Sequence, residues 1–186
     1  MTPAVPLLEA AREVQDIFSE LHLAAIVIGG IAVLRWGEAR ATRDVDFTLL
    51  CPFGEERRAA SALSGRLRGR IEKAAEFAAT QRVFLATASN GIPIDIAFGG
   101  LPFEERAVRR GSDFEFLPGV KLKTCSAEDL VVMKAFAGRD RDLLDIPSIL
   151  LRQGAKLDWK LIEEELKPLL EVKQDSAMWG RLVAMR

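Results

Sequence analysis

With 186 residues, 49% of them hydrophobic and 28% charged, the chain can fill one core of ordinary size and is too apolar to be disordered. Its 26 basic and 27 acidic residues leave a net charge of −1, which excludes coating nucleic acid by bulk charge and leaves only local patches for such a partner. No apolar run reaches the roughly 18 residues of a membrane span, and two distant cysteines, Cys51 and Cys125, make neither a disulfide framework nor a metal knuckle.

The start, MTPAVPLLEAAREVQDIF, lacks the basic and apolar regions of a secretion signal, so the expected location is the cytoplasm. Residues 7–20 space apolar side chains at 7, 8, 11, 14, 17 and 18, the period of a helix. AAIVI (24–28) is a short β-rich run stopped by Gly29 and Gly30, and IAVLRWGE reads as a helix starting from that pair. DVDFTLL (44–50) is the next strand, closed by CPFG. The Ala-, Arg- and Glu-rich stretch 55–79 predicts one long helix, weakened at Gly65 and Gly69. RVFLATA and IPIDIAF flank Ser89-Asn90-Gly91, and Asn-Gly between apolar runs is a hairpin signal. DFEFL and VKLKTC, on either side of Pro118-Gly119, predict a second β pair. Ser126-Ala127-Glu128-Asp129 is a helix start, and the pattern stays helical to the end. The expectation is an α+β fold: a mixed β-sheet with flanking helices in residues 1–125, and a helical C-terminal part, 126–186, packed on it.

Asp is depleted in strands, yet Asp44 and Asp46 stand two residues apart in an apolar strand and so share one face. Asp95, between isoleucines in IPIDIAF, has the same setting. If the two strands are neighbours, three carboxylates converge. Their repulsion and desolvation cost several kcal/mol unless protonation or a cation offsets them. A hard divalent cation suits such oxygen ligands, and two ions about 3.5–4 Å apart activate an attacking hydroxyl and stabilise a leaving oxygen. The plainer alternative is that one of the pair caps a turn or binds Arg43. Gly29-Gly30, between strand and helix, lets backbone approach a ligand and offers helical N–H groups to phosphate oxygens. Neither a P-loop nor a dinucleotide fingerprint is present.

The order strand, Gly-Gly, helix, Asp-x-Asp and later strand Asp, in VIGGIAVLRWGEARATRDVDF and IPIDIAF, resembles the nucleotidyltransferase superfamily typified by DNA polymerase β. Within it, the segment is most similar to the AbiEii/AbiGii-toxin and MNT-like group. The resemblance implies the polymerase-β-like fold. It also implies transfer of a nucleoside monophosphate from an NTP (ATP included) to an acceptor hydroxyl, with two Mg²⁺ ions. By the same resemblance Gly29 and Gly30 contact the triphosphate, and Asp44, Asp46 and Asp95 bind metal and are catalytic. Many relatives carry Gly-Ser here, so this chain lacks a hydroxyl at residue 30. SAEDLVVMKAFAGRDRDLLDI is similar to the family's helical segment, which implies that Lys134 approaches the triphosphate; Arg141-Asp142 stands where relatives commonly have Lys-Asp. Arg43 is a further candidate for a phosphate. The resemblance favours tRNA or protein as acceptor over a small molecule, and a toxin with a cognate antitoxin.

The alternative is a catalytically weak module of the same fold that binds a nucleotide or partner protein, against which the intact Asp triad argues. Arg139, Asp142 and Asp145 also read as a salt-bridge set on one helix face. RRAASALSGRLRGR (57–70), with five arginines, reads as a solvated face and is the best local patch for RNA.

Overall fold

The computed structural model describes residues 4–186, and the chain divides into two units. The first comprises Met1–Ile31 and Ala41–Cys125. It opens with α1 (Ala4–Glu20), β1 (Ala25–Val27) and the start of α2 (Gly29–Trp36). After β2 (Val45–Leu50) come α3 (Glu56–Ser64), β3 (Arg68–Gly69) and α4 (Ala74–Gln81). The hairpin β4 (Val83–Thr87) and β5 (Pro93–Gly99), then α5 (Pro102–Arg110) and the pair β6 (Ser112–Leu117) and β7 (Val120–Thr124), complete it. All seven strands form one sheet in the order β3-β4-β5-β2-β1-β7-β6. β2 runs parallel to β5 and β1 parallel to β7, while the remaining pairs are antiparallel.

Alternation along the strands decides which face is dry. Val45, Phe47 and Leu49 of β2, Ile94, Ile96 and Phe98 of β5, and Phe84 and Ala86 of β4 are buried in a core shared with Val14 and Phe18 of α1 and Leu63 of α3. Phe18 meets Phe47 edge to face, with centroids 5.1 Å apart. Each such side chain contributes about 1.5–3 kcal/mol by leaving water. The intervening residues Asp46, Asp95, Ala97, Leu85 and Thr87 are only half-buried. Two carboxylates in apolar strands are tolerable because they lie on this second, wetter face.

The single helix expected over 55–79 is instead α3 and α4 with the edge strand β3 between them. Gly65 ends α3, and Arg68 and Gly69 pair with Thr87 and Ala86, so the free hydrogen-bonding edge of β4 outweighs helix propensity. A Cβ on Gly69 would lie 2.7 Å from that of Ala74, so this turn requires glycine. The helix α5 had no counterpart in the sequence reading. Its signals are Pro102 at the first turn and Glu104, whose carboxylate accepts the N–H groups of Gly100 and Leu101 at 2.8 Å. Both predicted β pairs are present, with Gly119 at φ +78° in the second turn.

The second unit comprises Ala32–Arg40 and Ser126–Arg186. Beyond the rest of α2 it contains α6 (Ala127–Ala137), α7 (Asp140–Gln153), a 3₁₀ turn (Gly154–Lys156), α8 (Trp159–Lys173) and α9 (Ala177–Ala184). Ser126 caps α6 by accepting the Asp129 N–H at 3.0 Å, and Gly138 closes it in the left-handed conformation. Leu130, Ile146, Ile149, Ile162 and Leu166 are buried within it. Among the described residues no helix is long and apolar enough to cross a membrane.

Candidate active site

The glycine pair lies directly against the Asp-x-Asp. β1 is antiparallel to β2, with Val27 opposite Phe47, and the Ile28 N–H donates to the Asp46 carbonyl at 2.9 Å. The chain therefore turns into α2 beside the Asp46 side chain. A Cβ on Gly29 would lie 2.0 Å from Asp46 Oδ2, and one on Gly30 would lie 2.4 Å from Thr42 Oγ1. Thr42, buried, donates its hydroxyl to Asp44 Oδ1 at 3.0 Å. Gly29 and Gly30 are thus required by closeness to Asp46 and to the Thr42–Asp44 pair, and Gly29, at φ +60°, by conformation too. Gly29→Ala is expected to lower the unfolding free energy by about 1 kcal/mol or more and to push the Asp46 carboxylate aside. Urea denaturation and the Cβ and carboxyl NMR shifts of Asp46 would check both effects.

Asp46 and Asp95 are register partners on the parallel strands β2 and β5. Their side chains leave one face of strands about 4.8 Å apart. Asp95 Oδ1 accepts a hydrogen bond from Arg70 Nη2 at 2.6 Å, and the two side chains are about a third exposed, 32% for Arg70 and 35% for Asp95. Arg43 is exposed beside Asp44. Asp44, Asp46 and Asp95 offer oxygen donors alone, which fits a hard divalent cation. Among the described residues, however, no three acidic, His or Cys side chains are gathered closely enough to hold a metal ion. Sequence reasoning missed Thr42, which carries no signal of its own, and Arg70, whose only signal was membership of the five-arginine stretch.

The family model described as Nucleotidyl transferase AbiEii toxin, Type IV TA system, matches residues 14–175. The chain belongs to this family. Its fold is similar to that of the antibiotic-resistance factor ANT(2″)-Ia in solution, at 15% identity and TM-score 0.53 over 97% of this chain and 95% of that one. Crystalline ANT(2″)-Ia in complex with adenylyl-2″-tobramycin is similar at 14% identity and TM-score 0.53, over 92% of this chain and 99% of that one. So is an antigenic nucleotidyltransferase-like protein from Paracoccidioides brasiliensis, at 14% identity and TM-score 0.53, over 91% and 90%. These identities establish the fold alone, which is the nucleotidyltransferase fold. A sequence comparison with curated proteins finds none that matches.

The family's helical segment forms an ion cluster inside the second unit. Lys134 is 4% exposed. Its Nζ donates to Asp142 Oδ1 at 3.1 Å and to Asp145 Oδ2 at 2.6 Å. Arg139 Nε donates to Asp142 Oδ2 at 2.6 Å, and Arg40 grips Asp145 through Nε and Nη2 at 2.5 and 2.7 Å. The in-helix set read from sequence is therefore Arg139–Asp142 only, while Asp145 turns to α6 and to Arg40. The ammonium that the resemblance directs toward a triphosphate is here satisfied by two carboxylates. Arg40 lies four residues before Asp44, in a segment fastened to α7. There Arg152 donates to the Gly37 carbonyl at 2.5 Å, Gln153 to that of Trp36 at 2.7 Å, and the Glu38 N–H to Ser148 Oγ at 3.3 Å.

Burial works to raise the Asp142 and Asp145 carboxyls, but hydrogen bonds and charge outweigh it and leave both below the usual carboxylate range. Arg139 and Lys134 act on Asp142, and Arg40 and Lys134 on Asp145. The unfolded chain takes up these protons first as pH falls. Their stabilisation is therefore complete above about pH 4 and is lost as pH drops through the lower folded values. Urea midpoints are expected to hold from pH 7 to about 5 and to fall below about 4, with a shallower fall in Asp145→Asn.

Proposed function

We propose that the chain transfers a nucleoside monophosphate from an NTP to an acceptor hydroxyl with Mg²⁺, as the toxin of a type IV pair with a cognate antitoxin in the cytoplasm. The observation that carries this reading is the close packing of Gly29 and Gly30 on Asp46 and on the Thr42–Asp44 pair, with Asp95 in register beside Asp46. In this reading the N–H groups at the start of α2, with Arg43, bind the triphosphate. Asp44, Asp46 and Asp95 would hold two Mg²⁺ ions, whose chemistry is to neutralise phosphate charge and lower the pKa of the attacking hydroxyl. Asp95 takes the acceptor proton. The acceptor oxygen then bonds to the α-phosphorus, the bond to the bridging oxygen breaks, and pyrophosphate leaves. For Lys134 to reach a phosphate it must first release a carboxylate, so we assign it in the free protein to the Asp142–Asp145 cluster.

The acceptor class proposed is tRNA or protein. The experiment is incubation with Mg²⁺ and each α-³²P-labelled NTP, with total tRNA, with protein extract, with an aminoglycoside and with no acceptor, wild type beside Asp46→Ala. Label moved by wild type alone would establish the transferase and name nucleotide and acceptor together. Transfer to the aminoglycoside alone would sink the proposed acceptor class, and absence of both transfer and NTP binding would favour a non-catalytic module.

A further inference from the structure

The carboxylates of the register pair lean in opposite directions. Asp46 Oδ2 is pressed toward Gly29, on the β1 side of β2. Asp95 Oδ1 is drawn to Arg70, which follows β3 and so lies beyond β5 on the other side. Arg70 is held in place by its own backbone, whose N–H donates to the Leu85 carbonyl at 2.9 Å and continues the β3–β4 ladder to the strand position opposite Asp95. The row Arg70, Leu85, Asp95, Asp46 therefore runs from the end of β3 across β4, β5 and β2, and a guanidinium closes its outer end. Like charges on neighbouring strands repel, and the Arg70 guanidinium sets a positive charge against one of the two. Asp46 and Asp95 thus share a face, and among the described residues no cluster that could hold an ion forms there. A pair this exposed is weak and easily exchanged.

We infer that Arg70 is a positioning residue for Asp95: it neutralises and holds aside the third carboxylate in the free protein, and yields it when a divalent cation and nucleotide bind. The inference rests on the nucleotidyltransferase reading above. It implies that cation binding competes with the Arg70–Asp95 pair, and that the positive charge at residue 70 is what holds the carboxylate aside.

The test is Mn²⁺ binding to the free protein, read from the electron paramagnetic resonance of unbound ion, so that no turnover is involved. Arg70→Gln and Arg70→Ala are compared with Arg70→Lys, each with Asp95 and with Asp95→Asn. Both neutral variants are expected to bind Mn²⁺ about three- to fivefold more tightly, the lysine variant to stay near wild type, and the gain to vanish with Asp95→Asn. Unchanged or weaker Mn²⁺ binding in the neutral variants, with wild type binding normally, would overturn the role of Arg70 and leave the proposed function standing. No Mn²⁺ binding by wild type, with or without NTP, would overturn both.

Discussion

Lys134→Met is expected to lower the unfolding free energy by about 3 kcal/mol or more, read as a lower urea midpoint. Methionine keeps the length and apolar stem of the side chain, so the change removes charge rather than volume. What it strands is a pair of carboxylates at 5% and 4% exposure, and an unpaired buried charge costs more than the intact pair ever contributed. The two carboxylates are not stranded equally. Asp145 keeps a bidentate arginine whose side chain is 27% exposed, whereas Asp142 keeps only Arg139, whose side chain is 78% exposed and screened by water. Adding Asp142→Asn to Lys134→Met should therefore recover more stability than adding Asp145→Asn. A Lys134→Met protein as stable as wild type but unable to bind NTP would show that the lysine serves the nucleotide and not the fold.

Asp46→Asn is expected to act on activity rather than on the fold, cutting nucleotide transfer by at least about 10²–10³ in a protein that still unfolds cooperatively. The substitution keeps the shape against Gly29 and removes one of the like charges flanking it. The accompanying loss is in ligand-linked stability. A protein that binds Mg²⁺ and NTP together gains about 2.7 kcal/mol at a hundredfold excess over Kd. Thermal unfolding should show this gain for wild type only when both are present, and not for Asp46→Asn. If the variant kept the full gain, the carboxylate would not be part of the site.

Most of the sheet was legible because its signals are local. The Asn90-Gly91 and Pro118-Gly119 turns announce their hairpins, and the alternation in IPIDIAF marks which side of β5 is dry. The 55–79 stretch misled because β3 is defined by a partner, β4, that composition cannot reveal. The same divide runs through the site. Gly29, Gly30, Asp44 and Asp46 are visible as a spaced motif. Arg70 and Arg40 matter through carboxylates 25 and 105 residues away, and nothing in their own surroundings in the chain points there.

The nine residues Ala32–Arg40 belong to a unit whose remainder begins only at Ser126. During synthesis this has a cost in time. At about 5–20 residues per second, the 105 residues between Arg40 and Asp145 take about 5–20 s to emerge from the ribosome. Throughout that interval the stretch leading into Asp44 lacks its own anchors, because the α7 groups that hold Trp36, Gly37, Glu38 and Arg40 have not been made. A chain that stops at Cys125 never acquires them. The carboxylate strand can therefore pair within its sheet early, but its approach is fastened only after α7 has been made.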